Sequence, residues 1–136
     1  MVRLIMGVKG SGKTKQLIEL INNAAKDEPG NVVCIEANRN MTFDISNQVR
    51  LIDAHEYTLD SYEAYRGFIS GLYAGNYDIS QVFIDNLCKT IGCDVDVNAE
   101  KFLDWLDAFG EKNGIKFTVT ISGDKSLASE GMTKFM

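Results

Sequence analysis

Eight consecutive residues near the start of the chain, Gly7-Val8-Lys9-Gly10-Ser11-Gly12-Lys13-Thr14, have the types and spacing of a phosphate cradle, G-x-x-x-x-G-K-[ST]. Glycine at positions 10 and 12 lets successive backbone N–H groups converge on an anion that side chains would crowd. Lys13 is a flexible cation suited to the β- and γ-phosphates of a nucleotide, and the Thr14 hydroxyl suits a magnesium ion. Gly7, Val8, Lys9 and Ser11 belong to the cradle by position, although the Lys9 side chain, like that of Lys15, reads as a solvated base. A magnesium shell also needs a carboxylate, and Asp85, which closes the apolar run Val82-Phe83-Ile84, is the candidate. A water-orienting glutamate often follows such an aspartate, but here the next residue is Asn86, which can orient a water and cannot take its proton. Glu36 ends another apolar run and is the candidate general base, provided that its strand lies beside the one ending at Asp85.

These residues need elements that deliver them to one place. Arg3 to Met6, ending at Gly7, reads as a buried strand, and Leu17, Leu20, Ile21, Ala24 and Ala25 recur at the spacing of an apolar helical stripe that stops near Pro29-Gly30. Asn31 to Ala37 and Val49 to Ile52 are candidate strands that lead into Glu36 and Asp53. Asp60 or Ser61 caps a second predicted helix running to about Ala74, and Asn98 a third that closes at Asn113-Gly114. Ile115 to Ile121 is the last strand. The order β-α-β-β-α-β-α-β predicts one α/β domain over residues 1–136, a three-layer sandwich with a mainly parallel sheet, because parallel strands need crossovers of helical length. Ligands of such sheets bind beyond the carboxyl ends of the strands, where Gly7, Glu36, Asp53, Asp85 and Ser122 all fall.

The 136 residues are 45% hydrophobic and 24% charged, enough to bury a core without disulfides or a structural metal. A formal charge of -5 opposes the backbone attraction behind most nucleic-acid binding, so that partner is not expected. No run approaches the roughly 20 apolar residues of a membrane helix, and the first residues lack signal-peptide features, so membrane insertion is not expected and a cytoplasmic protein is. Cys34, Cys88 and Cys93 form no Cys-x-x-Cys pair and have a single histidine, His55, to join them, so they read as buried free thiols rather than zinc ligands.

The strand, glycine loop (Walker A) and helix, with Val82 to Asp85 as Walker B, resemble the P-loop NTPase superfamily over essentially the whole core. Within it, M-V-R-L-I-M-G-V-K-G-S-G-K-T-K-Q-L, V-R-L-I-D and V-F-I-D-N look like small stand-alone bacterial P-loop proteins labelled "twitching motility protein PilT" or ATP-binding protein. The His- and Asp-rich boxes of pilus-retraction ATPases are missing from a chain with one histidine. Recombinase-type (RecA-like) ATPases offer the better analogy, because they carry the water-activating glutamate at the end of a neighbouring strand, where Glu36 would be.

The resemblance implies ATP and Mg²⁺ as ligands and slow ATP hydrolysis, open to stimulation by a protein partner or a second copy of the chain. ATP is preferred to GTP because no guanine-reading N/T-K-x-D tetrad follows Asp85. Arg39 reads first as a solvated loop residue and second as an arginine supplied to a neighbouring protomer. Two alternatives stand beside the ATPase. A non-hydrolysing nucleotide switch or assembly module is favoured by Asn86 if Glu36 points elsewhere. A small-molecule kinase would need an acceptor pocket, with tyrosines such as Tyr57, Tyr62, Tyr65, Tyr73 or Tyr77 to stack on a base, although packing on the sheet accounts more simply for Tyr62, Tyr65 and Tyr73.

Overall fold

The computed structural model describes residues 1–37 and 44–136, so that Arg39 lies outside the described residues. The chain runs β1 (Val2–Gly7), α1 (Lys13–Asp27), β2 (Asn31–Glu36), β3 (Arg50–Asp53), α2 (Tyr62–Gly75), β4 (Ile79–Ile84), α3 (Leu87–Ile91), α4 (Val97–Asn113), β5 (Lys116–Ser122) and α5 (Glu130–Thr133). Among the described residues five strands form one sheet in the order β1-β5-β4-β2-β3, and every ladder is parallel.

Both faces of the sheet are covered, so β1, β2 and β5 are buried almost throughout, Thr118 and Thr120 included. On one face α1 buries Leu17, Ile21 and Ala24 against Val32, Cys34 and Phe83. On the other, Tyr65 and Ile69 of α2 and Phe102, Leu103 and Leu106 of α4 pack with Val33, Ile35, Val82, Ile84, Phe117 and Val119. The result is a three-layer α/β/α arrangement. Side chains alternate along a strand, so residues in step with Cys34 and Phe83 belong to the α1 face. Glu36 and Asp85 are two such residues, on adjacent strands: Ile35 lies opposite Ile84, and the Asp85 N–H donates to the Ile35 carbonyl at 2.9 Å.

The eight expected elements are all present, and Ser61 caps α2 as expected, its hydroxyl accepting the Ala64 N–H at 3.0 Å. The cap of α4 is a correction. Asp96, not Asn98, holds that position, its carboxylate accepting the Asn98 N–H at 2.9 Å, so Asn98 already lies within the first turn. Helices α3 and α5 were not expected; at five and four residues they are too short to display a repeat. The outer edge of β1 is met by the C-terminal segment, where the Leu4 N–H donates to the Phe135 carbonyl at 2.8 Å. Among the described residues no helix is long and apolar enough to cross a membrane.

Candidate functional site

The chain leaves β1 at Gly7 and enters α1 at Lys13 through a tight loop. Gly10 and Gly12 both have φ of +86°, a left-handed conformation that L side chains rarely adopt. A Cβ at either would meet nothing within 4 Å, so the requirement is conformational rather than steric. Gly7 differs, because a Cβ there would collide with the Ser11 hydroxyl. The Val8 carbonyl accepts from the Ser11 N–H at 3.1 Å and from Lys13 Nζ at 3.2 Å, which folds the lysine across the loop. Gly12 is the N-cap of α1 and offers no side-chain cap, and the first turn carries no acidic residue. The amides and dipole of a 15-residue helix thus face the loop with no carboxylate competing for them.

The loop opens into a cleft of about 1050 Å³ at the carboxyl ends of the strands. Lys9, Gly10, Gly12, Lys13 and Thr14 line it from the loop, Asp85 and Asn86 from the end of β4, Thr120 and Ser122 from β5, and Cys88, Lys89, Gly92, Cys93 and Asp94 from α3 and the turn after it. Gly7, Val8 and Ser11 are not part of the lining; Gly7 is buried and Val8 is exposed. The sheet order explains the convergence, since β5 lies between β1 and β4 and brings all three strand ends to one opening.

Asp85 is held by its neighbours on both sides. Its carboxylate accepts the Ala37 N–H at 3.2 Å and the Thr120 hydroxyl at 3.3 Å. Burial pushes its pKa above the ordinary aspartate value, and these hydrogen bonds together with Lys89 and Lys13 oppose the rise. Thr120 also accepts the Asn86 N–H at 2.8 Å, tying the turn after β4 to β5. Asn86 has φ of +50°, a conformation that asparagine tolerates better than most side chains, and its buried Oδ1 has no hydrogen-bond partner among the described residues. The Thr14 hydroxyl and Asp85 carboxylate are oxygen donors lining the same cleft, the donor type that a hard cation such as Mg²⁺ takes.

Glu36 is placed beside Asp85 by the β2–β4 ladder, yet it is only 2% exposed and is not among the residues lining the cleft. Asp53, at the end of β3, accepts the His55 N–H at 2.9 Å in the turn that follows. No tyrosine lines the cleft among the described residues. Tyr65 is fully buried and Tyr62 and Tyr73 pack on the core, while Tyr57 and Tyr77 are exposed. Of the cysteines, Cys34 and Cys88 are buried as expected, whereas Cys93 is half-buried at the cleft, because the turn after α3 brings it there.

The sequence reading places none of Thr120, Cys88, Lys89, Cys93 and Asp94 at the site, and names Cys88 and Cys93 only as thiols. Thr120 left a trace, since Thr118 and Thr120 alternate with apolar Phe117, Val119 and Ile121, and both threonines are buried. The residues of α3 and its turn left none. Comparison with models of known protein families gave no match, and neither did comparison with curated proteins.

Proposed function

We propose that this chain is a P-loop nucleotide-binding domain of recombinase-like order that binds Mg·ATP and hydrolyses it slowly. The observation that carries the reading is the joint opening of two sequence-distant features into one cleft: the left-handed glycine loop at the uncapped start of α1, and Asp85 at the end of β4. The loop amides and Lys13 would hold the phosphates, Lys13 giving up its hydrogen bond to the Val8 carbonyl as the anion enters. Thr14 and Asp85 would hold the cation, which when bound neutralises charge on the β- and γ-phosphates. Thr120 fixes the Asp85 carboxylate in place through the hydroxyl it donates.

Glu36 is the carboxylate assigned to orient the attacking water, because β2 lies beside β4 and strand alternation puts Glu36 on the face of Asp85. Its burial fits slow turnover, since a base screened from the cleft must first gain access to the water. No arginine lines the cleft among the described residues, so the reading includes stimulation by a partner protein or a second copy supplying that charge, an effect worth roughly 10³ to 10⁵ in rate elsewhere. The same burial of Glu36, with Asn86 after Asp85, favours the second reading, a nucleotide switch that binds without hydrolysing.

The test is nucleotide binding and acceptor-free phosphate release on the purified chain. Mg·ATP at a hundredfold excess over its Kd should add about 2.7 kcal/mol of stability, seen as a rise in Tm, and Lys13→Ala should abolish most of that rise. No rise in the unmodified protein would reject the nucleotide site. Glu36→Gln should keep affinity within a few-fold and lower phosphate release by on the order of 10². Binding without any release moves the switch reading to first place, and unchanged release in the Glu36 variant removes that residue from the chemistry.

A further inference from the structure

Besides the phosphate loop, the cleft is walled by α3 and the turn that ends it, and this wall carries two thiols. Helix α3 stops at Gly92, whose φ is +81°. The N–H groups of Gly92 and Cys93 both donate to the Cys88 carbonyl, at 2.8 and 3.1 Å. The second of these is the six-residue bond of a helix C-terminal motif, which folds the chain back so that the side chains flanking it meet. In most helices that contact is apolar; here it falls to Cys88 and Cys93. A third residue touches both, since the Tyr62 hydroxyl lies 3.4 Å from Cys93 Sγ and 4.0 Å from Cys88 Sγ. Both cysteines line the cleft, and Cys93 is the more exposed of the two. Cys34 is fully buried between α1 and the sheet and stands apart from this pair.

We propose that Cys88 and Cys93 are a redox-active pair that a small disulfide oxidant, of the glutathione disulfide class, converts reversibly into an intramolecular disulfide in the wall of the cleft. Cys93 reacts first because it is accessible. Its thiol loses a proton to solvent, and the thiolate attacks one sulfur of the oxidant, forming a mixed disulfide and expelling one small-molecule thiolate. Cys88 then loses its proton and attacks Cys93 Sγ, expelling the second small thiolate. Two protein thiols are oxidised to one disulfide, and one oxidant disulfide is reduced to two thiols. Burial, then the neighbouring Cys93, pushes the Cys88 thiol up to about 11 in the reduced protein, which disfavours Cys88 as the first nucleophile. Capping Cys93 as a mixed disulfide removes the repulsion between the two thiolates. A reversible disulfide of this kind suits a sensing role rather than a structural one. A nucleotide filling the cleft would cover Cys93 and slow the first step; that effect, unlike the disulfide itself, rests on the proposed nucleotide site.

The experiment incubates the reduced, folded protein with glutathione disulfide and counts thiols after denaturation. Titratable thiols should fall from three to one. Trypsin cuts at Lys89, between the two cysteines, so a disulfide joins peptide 67–89 to peptide 90–101 until a reductant is added. Cys88→Ser should stop at a glutathione adduct on Cys93, and Cys93→Ser should give no cross-link. Retention of all three thiols, or a stable adduct on Cys93 in the unmodified protein, overturns the proposal. Mg·ATP should slow oxidation severalfold. If ATP raises Tm and leaves the oxidation rate unchanged, the shielding is wrong. If ATP does neither while the cross-link forms, the nucleotide reading fails and the redox pair stands.

Discussion

Burial pushes the Asp85 carboxyl above its ordinary pKa, while the Ala37 N–H, the Thr120 hydroxyl, Lys89 and Lys13 pull it back. A carboxyl whose folded pKa exceeds its unfolded value favours folding at low pH, and that contribution is lost as pH rises through the folded pKa. At neutral pH the unliganded protein therefore carries a cost at Asp85, of the kind accepted where a charge is needed for binding. Asp85→Asn should raise Tm at pH 7 without nucleotide, and the difference from the unmodified protein should shrink as the pH falls through the raised pKa of Asp85. With Mg·ATP present the order should reverse on the proposed reading, in which the variant lacks the carboxylate assigned to the cation. Melts across pH 4 to 8, with and without nucleotide, check both halves. A lower Tm for the variant at pH 7 without ligand would make Asp85 a structural residue.

The glycine loop and α2 both contain glycines with open space around an added Cβ, yet the two elements ask opposite things of them. At Gly12 the backbone is left-handed, with φ of +86°, and a side chain there costs about 1–2 kcal/mol. At Gly67, in the middle of α2 and exposed, the backbone is helical and glycine is a liability of roughly 0.5–1 kcal/mol relative to alanine. Gly12→Ala should thus destabilise the fold and weaken nucleotide binding, whereas Gly67→Ala should stabilise it and leave binding unchanged. Urea midpoints and nucleotide titrations distinguish them, and equal shifts of one sign would mean that the loop conformation has been misassigned.

Across the whole molecule the cleft sits at one end of the sheet, and the larger part of the core lies on the face away from α1. Phe102 of α4 is fully buried there, with its ring near those of Tyr62, Tyr65 and Trp105. Phe102→Ala should cost about 3–5 kcal/mol of stability by leaving a cavity between α2 and α4. Phe102 does not line the cleft, so the Kd for nucleotide of the molecules still folded should change little. Denaturant melts and titrations well below Tm measure the two quantities separately, and a large loss of affinity at full folding would tie the core to the cleft.

Local structure that is contiguous in the chain was legible in it. The residues between Gly7 and Lys13 are a loop whose backbone is dictated by its own glycines, and the apolar run into Asp85 announced a buried strand ending in an acid. The periodicities of α1, α2 and α4 likewise report which residues are buried, because burial repeats along each element. Periodicity does not report what an element is buried against. Placing β5 between β1 and β4, and β2 beside β4, depends on pairings between residues tens of positions apart, and those pairings bring Thr120 to Asp85 and set Glu36 beside it. The burial of Glu36 follows from the layers around it and not from its neighbours in the chain. The meeting of Cys88, Cys93 and Tyr62 needed both a short-range cause, the left-handed turn at Gly92, and a long-range one, the packing of α2 over the sheet.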